Sequence, residues 1–268
     1  YQEHTGRYFN HNVHSVRVLD DMVNWNISLQ TLDGILCHNG ELELKEYRPC
    51  EMSTFVEYDK KVEACYVDEK AIGELIPCTL EGCVMRICDI IAYLGKDRQD
   101  AMRLNLLKES PFTAGAIGTS NGEIINNFSV NIIENSYGKD YLKMDEEYFD
   151  ALRQAKKENY EMIYNNKSLN DLYENEIRPM FGELYEELLR QAESGDKSSV
   201  FYRHHMAYME KNNFYVKSHV RKPYAEQDKN QLVVDYLASM TDDYFIALYH
   251  YLFPKGKHDV KFVGYFDL

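Results

Sequence analysis

No stretch of this chain approaches the roughly 20 consecutive apolar residues that a membrane-spanning helix needs, so no such helix is expected. The opening residues, Tyr1-Gln2-Glu3-His4-Thr5-Gly6-Arg7, contain no apolar h-region, and no signal peptide is expected. They also lack a start Met, which suggests a processed, trimmed or partial chain. Cysteine is sparse: six residues, at 37, 50, 65, 78, 83 and 88, form no CxxC pair. That scatter argues for reduced, mostly buried thiols in a cytoplasmic protein, and against a disulfide framework or a zinc–thiolate site. Positive charge is in deficit. A net charge of −14 opposes general binding to nucleic acid, which requires phosphate-neutralising Lys and Arg, but allows a small phosphorylated ligand beside a metal ion. Several catalytic motifs are missing as well. Gly115-Ala116-Ile117-Gly118 lacks the GK[ST] ending of a phosphate-binding loop, and neither GxSxG nor HExxH occurs. There is no internal repeat, low-complexity tract or clear linker, so one domain is expected over residues 1–268.

What is present is apolar and helical in period. Hydrophobic residues make up 44% of the chain, enough for a core and too many for disorder. Apolar spacing predicts helices over 13–25, 28–36, 80–107, 122–137, 145–164, 168–193, 199–211 and 230–253, the last stopped by Pro254. Ser120-Asn121-Gly122-Glu123 is a capping-box signature. Residues 41–77 read as irregular, long enough to contain short helices, and 260–266 is the best strand candidate. The fold class expected is all-α.

The most informative residue is Asp89, set among Ile87, Ile90, Ile91 and Leu94. Burying a carboxylate there is costly unless a cation meets it. At about 100° per residue, Asp89, Tyr93 and Asp97 fall within roughly 80° of one another, and Asp100 returns between them. Such a face either meets water or lines a site holding a cation, and the aliphatic neighbours favour a site. Elsewhere, His204 and His205 read as surface or packing residues, because adjacent positions point to different helix faces. His11 and His14 stand at a helix start, where an imidazole can meet an anion or serve as a general acid. From the spacing alone, a capping or surface histidine fits better. Lys217, His219, Arg221 and Lys222, followed by Lys229, concentrate positive charge ahead of the last helix.

Four segments in order carry a resemblance: Phe9-Asn10-His11-Asn12-Val13-His14-Ser15-Val16-Arg17, Leu32-Asp33-Gly34-Ile35-Leu36-Cys37-His38-Asn39-Gly40, Asp89-Ile90-Ile91-Ala92-Tyr93 with Asp97, and Asp235-Tyr236-Leu237-Ala238-Ser239-Met240-Thr241-Asp242. Over residues 8–253 the chain resembles the bacterial dGTPase-like HD-domain triphosphohydrolases. The resemblance implies an all-α HD-like fold and hydrolysis of a deoxynucleoside triphosphate to deoxynucleoside and tripolyphosphate. It implies a divalent metal ion (Mn, Mg or similar) bound by a His, a His-Asp pair and a later Asp, the last matching Asp89. Tyr93 and Asp97 match residues that contact the sugar and phosphates, and His11 matches a pocket residue near the phosphates that can act as general acid. Lys229 and Tyr236 join them as expected substrate contacts, and a homo-oligomer is expected. The chain departs from the pattern twice. The upstream His and His-Asp ligands are absent, so the chain reads as the C-terminal portion of a longer enzyme, and His14 stands where the family often has Gln. Two alternatives remain open: a catalytically incomplete nucleotide-binding or assembly module, and an HD-fold phosphohydrolase acting on another phosphate ester.

Overall fold

A computed structural model describes residues 1–23, 25–39, 43–107, 112–212 and 223–260. In chain order the α-helices are α1 (Gln2–Thr5), α2 (His11–Arg17), α3 (Leu29–Leu36), α4 (Phe55–Val67), α5 (Leu80–Arg103), α6 (Asn121–Ser136), α7 (Glu146–Asn159), α8 (Lys167–Leu172), α9 (Arg178–Ser194), α10 (Ala207–Asn212), α11 (Lys229–Ala238) and α12 (Asp242–Leu252). Strands β1 (Glu46–Tyr47) and β2 (Leu142–Lys143) pair antiparallel, Glu46 opposite Lys143 and Tyr47 opposite Leu142. The fold is all-α. Among the described residues no helix is long and apolar enough to cross a membrane.

The chain packs as two compact units, each drawn from separate stretches. The first comprises 1–7, 17–26 and 167–268; the second comprises 8–16 and 27–166. The boundaries fall at segment ends and inside α2, not in a Gly- or Pro-rich linker, which is why composition gives no sign of them.

In the second unit α5 is the central element. Thr79 caps it by accepting from the Gly82 N–H at 3.0 Å, and Cys83, Ile87, Ile90, Ile91 and Leu94 bury one side. They pack with Ile124 and Phe128 of α6 and Leu152 of α7 in one core. Each fully buried Ile, Leu or Phe contributes roughly 1.5–3 kcal/mol. Gly95 permits the close approach of α6, since a Cβ there would lie 2.7 Å from the Asn121 Cα. The capping box at Ser120 and Glu123 forms as expected. A second one, Thr54 with Glu57, opens α4 within the stretch expected to be irregular. α5 ends at Arg103, four residues before the expected end, and the chain then turns through Asn105 at a φ of 53°.

In the first unit α9 and α11 pack around Met180, Leu184, Leu188, Leu232 and Val233. The helix expected over 230–253 is two helices. Ser239 turns its hydroxyl back onto the Tyr236 carbonyl at 2.7 Å, and Thr241 accepts from the Tyr244 N–H at 3.3 Å, capping α12. Both hydroxyls offer the backbone local partners that compete with helix continuation, a propensity the apolar period conceals. Likewise the helices expected over 13–25, 145–164, 168–193 and 199–211 contain π-helical turns, at Val18–Met22, Tyr160–Tyr164, Tyr173–Ile177 and Phe201–Met206. Of the strand candidate 260–266 only Val260 is described, and it lies in no strand.

No disulfide forms among the six cysteines. Cys37, Cys65 and Cys83 are buried, Cys50 and Cys78 half-buried, and Cys88 exposed. Burial and the neighbouring Asp33 push the Cys37 thiol up to about 12, so it stays protonated at neutral pH.

Candidate functional site

The carboxylate face of α5 opens onto a cavity within the second unit. Asp89, Tyr93 and Asp97 are each half-buried, and Tyr93 and Asp97 line a space of about 1100 Å³. Facing them are Arg153 and Lys156 of α7 and Tyr160 and Tyr164 of the π-helical turn that follows it. α7 presents these residues because its apolar side, Leu152 and Ala155, is committed to the core, leaving Arg153 and Lys157 outward. Lys156 is ion-paired with Glu43, and Lys157 reaches Glu161 at 3.9 Å. The walls therefore combine cations, carboxylates and tyrosine rings, a set suited to a ligand with anionic, hydroxylated and flat parts. Tyr164 donates its hydroxyl to Asp97 Oδ2. Burial, and then this bond and the charge of Asp97, hold the Tyr164 phenol well above its ordinary pKa.

A buried network fixes the two sides of the cavity. Arg98, 3% exposed, donates from Nε to Asn159 Oδ1 at 2.7 Å and from Nη2 to the Ala155 carbonyl and Glu158 Oε2, each at 3.2 Å. Asn159 returns a bond from Nδ2 to the Leu94 carbonyl at 3.0 Å. The Arg98 guanidinium lies 3.9 Å over the Phe112 ring, and Thr113 donates to Glu158 at 2.7 Å. These bonds set α7 against α5, and so set Tyr160 and Tyr164 opposite Tyr93 and Asp97. Sequence reasoning missed Arg98. Its position next to Asp97 on the helix gives no sign of partners some sixty residues on.

Asp100, grouped in sequence with the same carboxylate face, is bound to Lys96 at 2.6 Å and lies 3.9 Å from Arg103, a surface ion-pair cluster. Asp89 lies outside the cavity lining. Among the described residues no group of three His, Cys, Asp or Glu side chains is placed to hold a metal ion. These residues by themselves do not make the metal centre implied by the resemblance. His258 and Asp259 do not supply one either: His258 lies 3.1 Å from Glu176, and Asp259 pairs with His250 at 3.2 Å.

His11 is exposed, its ring edge-on to His38 at 5.1 Å. His38 Nδ1 meets the Ile35 carbonyl at 2.5 Å and lies 3.4 Å from the Asn12 side-chain amide. His38 lines a second cavity of about 720 Å³ with Gln30, Thr31 and Met85. His14 faces the Phe9 ring at 5.5 Å.

Lys229 and Tyr236 belong to the first unit. Lys229 begins α11, with Nζ 3.4 Å from the Ala225 carbonyl. Tyr236 is 4% exposed; its hydroxyl shares a 2.6 Å bond with Tyr244, and its ring stacks on His205 at 4.9 Å. Beside it lies the unit's main polar feature. Arg17 donates from Nε and Nη2 to Asp235 at 2.7 and 2.6 Å, Tyr224 donates to Asp235 Oδ2 at 2.9 Å, and His205 Nε2 lies 2.7 Å from the Tyr224 hydroxyl. Burial drives the His205 imidazole down to about 4, so it is neutral at pH 7. Arg17 and Asp235 end and begin two of the motif segments, yet neither drew notice in the sequence. His204 and His205 do separate as expected, the first exposed and the second buried. The basic residues 217–222 lie outside the described residues.

Residues 142–251 match the phosphohydrolase-associated domain family, a stretch that includes α7 and its cavity residues. The chain is 28% identical to a deoxyguanosinetriphosphate triphosphohydrolase-like protein of Caldanaerobacter subterraneus subsp. tengcongensis, over 66% of this chain and 47% of the relative. It is 25% identical to one from Clostridium tetani, over 92% of this chain and 60% of the relative. A Clostridium perfringens protein of the same description is 26% identical, over 88% and 58%. The chain is thus similar to dGTPase-like phosphohydrolases. It spans about half to three fifths of the length of these relatives. No solved structure matches it.

Proposed function

We propose that this chain forms the nucleoside-binding part of a hydrolase that converts a deoxynucleoside triphosphate to deoxynucleoside and tripolyphosphate. The observation that carries this reading is the cavity of about 1100 Å³ in which Tyr93 and Asp97 face Arg153 and Tyr160. Asp97 accepts a sugar hydroxyl, the tyrosine rings pack against sugar and base, and Arg153 with Lys157 at the rim attracts phosphate. His11 is proposed as a general acid near the phosphates. Asp89 is proposed as this chain's contribution to a divalent-metal site whose His and His-Asp ligands are not among the described residues. The names of the relatives make dGTP the first ligand to try.

A second reading is favoured by one observation, the lack of a metal-binding cluster among the described residues. On that reading the chain binds nucleotide without chemistry of its own.

The test of the cavity is calorimetric titration of dGTP in EDTA, where turnover is suppressed. Hydrogen bonds to a charged group contribute roughly 1.5–3 kcal/mol, so Asp97→Ala is expected to weaken binding by about ten- to a hundredfold. Equal affinity in the variant would remove Asp97, and with it the cavity, from the nucleotide site.

A further inference from the structure

Asp97 is an acceptor-only carboxylate, and one of its oxygens already has a donor. Tyr164 reaches back from the end of the π-helical turn at Tyr160–Tyr164 and places its hydroxyl on Asp97 Oδ2, across 67 residues of sequence. Asn159 and Tyr93 line the same cavity wall as Tyr164. Asn159 is held by Arg98 and by the Leu94 carbonyl, which fixes the start of the turn that carries Tyr164. Tyr164 nevertheless remains 40% exposed and lines the cavity wall, so its ring has solvent to swing into. π-Helical turns of this kind are frequent at functional sites, where they re-aim side chains.

A phenol hydroxyl and a sugar hydroxyl are the same kind of donor to a carboxylate. We propose that Tyr164 sets selectivity for a ligand hydroxyl in this cavity: its phenol occupies Asp97 until a ligand hydroxyl takes its place. The exchange trades one O–H···O⁻ bond for another, so a hydroxylated ligand loses little by displacing the phenol. A ligand lacking that hydroxyl has nothing to offer Asp97 and leaves the phenol in place across the cavity. Tyr164 thereby acts as an internal competitor that lowers affinity for the hydroxylated ligand and narrows its advantage over a ligand lacking that hydroxyl. This inference rests on the nucleotide reading of the cavity and adds to it a residue and a direction of effect.

The test is titration of the full chain, in EDTA, with 2′-deoxyguanosine triphosphate and with the 2′,3′-dideoxy analogue that lacks the 3′-hydroxyl. Removing one competing hydrogen bond is expected to tighten 2′-deoxyguanosine triphosphate binding by about three- to tenfold in Tyr164→Phe. Affinity for the dideoxy analogue is expected to stay at the wild-type value. With Asp97→Asn already present, Tyr164→Phe is expected to change neither, which localises the effect to the pair. Weaker binding of the hydroxylated ligand in Tyr164→Phe, or an equal change for both ligands, would overturn the competitor role while leaving the nucleotide site standing. Failure of the wild-type chain to bind either ligand would overturn the nucleotide reading and this inference together. Because Tyr164 is partly exposed, Phe is accommodated without repacking, and an unchanged circular dichroism spectrum verifies it.

Discussion

Asp235→Ala is expected to lower the unfolding free energy by about 3–5 kcal/mol, the cost typical of leaving one member of a buried ion pair alone. Asp235 is fully buried, and Arg17 is 8% exposed. The carboxylate receives two bonds from the Arg17 guanidinium, one from Tyr224 and one from Gln231 at 2.9 Å. Removing it takes away the guanidinium's main buried counter-charge, leaving partners that include Gln227 at 2.6 Å and the half-exposed Asp21 at 3.4 Å. The Tyr224 hydroxyl would also lose its acceptor in the interior, although His205 still reaches it. The measurement is urea unfolding followed by circular dichroism. Asp100→Ala provides the contrast, since an exposed pair such as Lys96–Asp100 contributes roughly 0–1 kcal/mol. A loss under about 1 kcal/mol for Asp235→Ala would show that the pair is not buried as described.

Asp89→Ala is expected to abolish both divalent-metal binding and dNTP turnover in a polypeptide that carries an upstream H…HD segment. The expectation follows from placing Asp89 as the one metal ligand this chain supplies, because a catalytic site missing a ligand loses both affinity and geometry. The neighbouring carboxylate is the control. Asp100→Ala leaves activity at the wild-type level, because Asp100 is spent on Lys96 and Arg103. Activity in Asp89→Ala equal to wild type would remove Asp89 from the metal site, and loss in both variants would indicate a general disturbance of α5.

Much of α5 was legible in the sequence because it combines two periodic signals, aliphatic residues on one side and Asp89, Tyr93 and Asp97 on the other. The helical fold class was legible for the same reason, and Ser120 with Glu123 marked the start of α6. Three kinds of feature were not. Helix interruptions, at Ser239–Thr241 and at the π-helical turns, depend on local hydroxyl bonding or on one residue of register, neither of which disturbs the apolar period. The two-residue strands are too short to alternate. The partners that organise the polar sites are far apart in sequence: Arg17 and Asp235 by 218 residues, Arg98 and Asn159 by 61, Asp97 and Tyr164 by 67. No local pattern encodes such pairings, so Arg98 and Tyr164 gained a place in the site only from the fold. The same limit applied to Tyr236, whose motif neighbours suggested a ligand contact while its ring stacks on His205.

The most direct test of the central claim is phosphorus NMR of dGTP incubated with Mn²⁺ and a polypeptide that joins this chain to an upstream H…HD segment. The account predicts tripolyphosphate appearing in one step, without accumulation of dGDP or inorganic phosphate. Stepwise release of phosphate, or no turnover of any of the four dNTPs with or without a second nucleotide present, would contradict it.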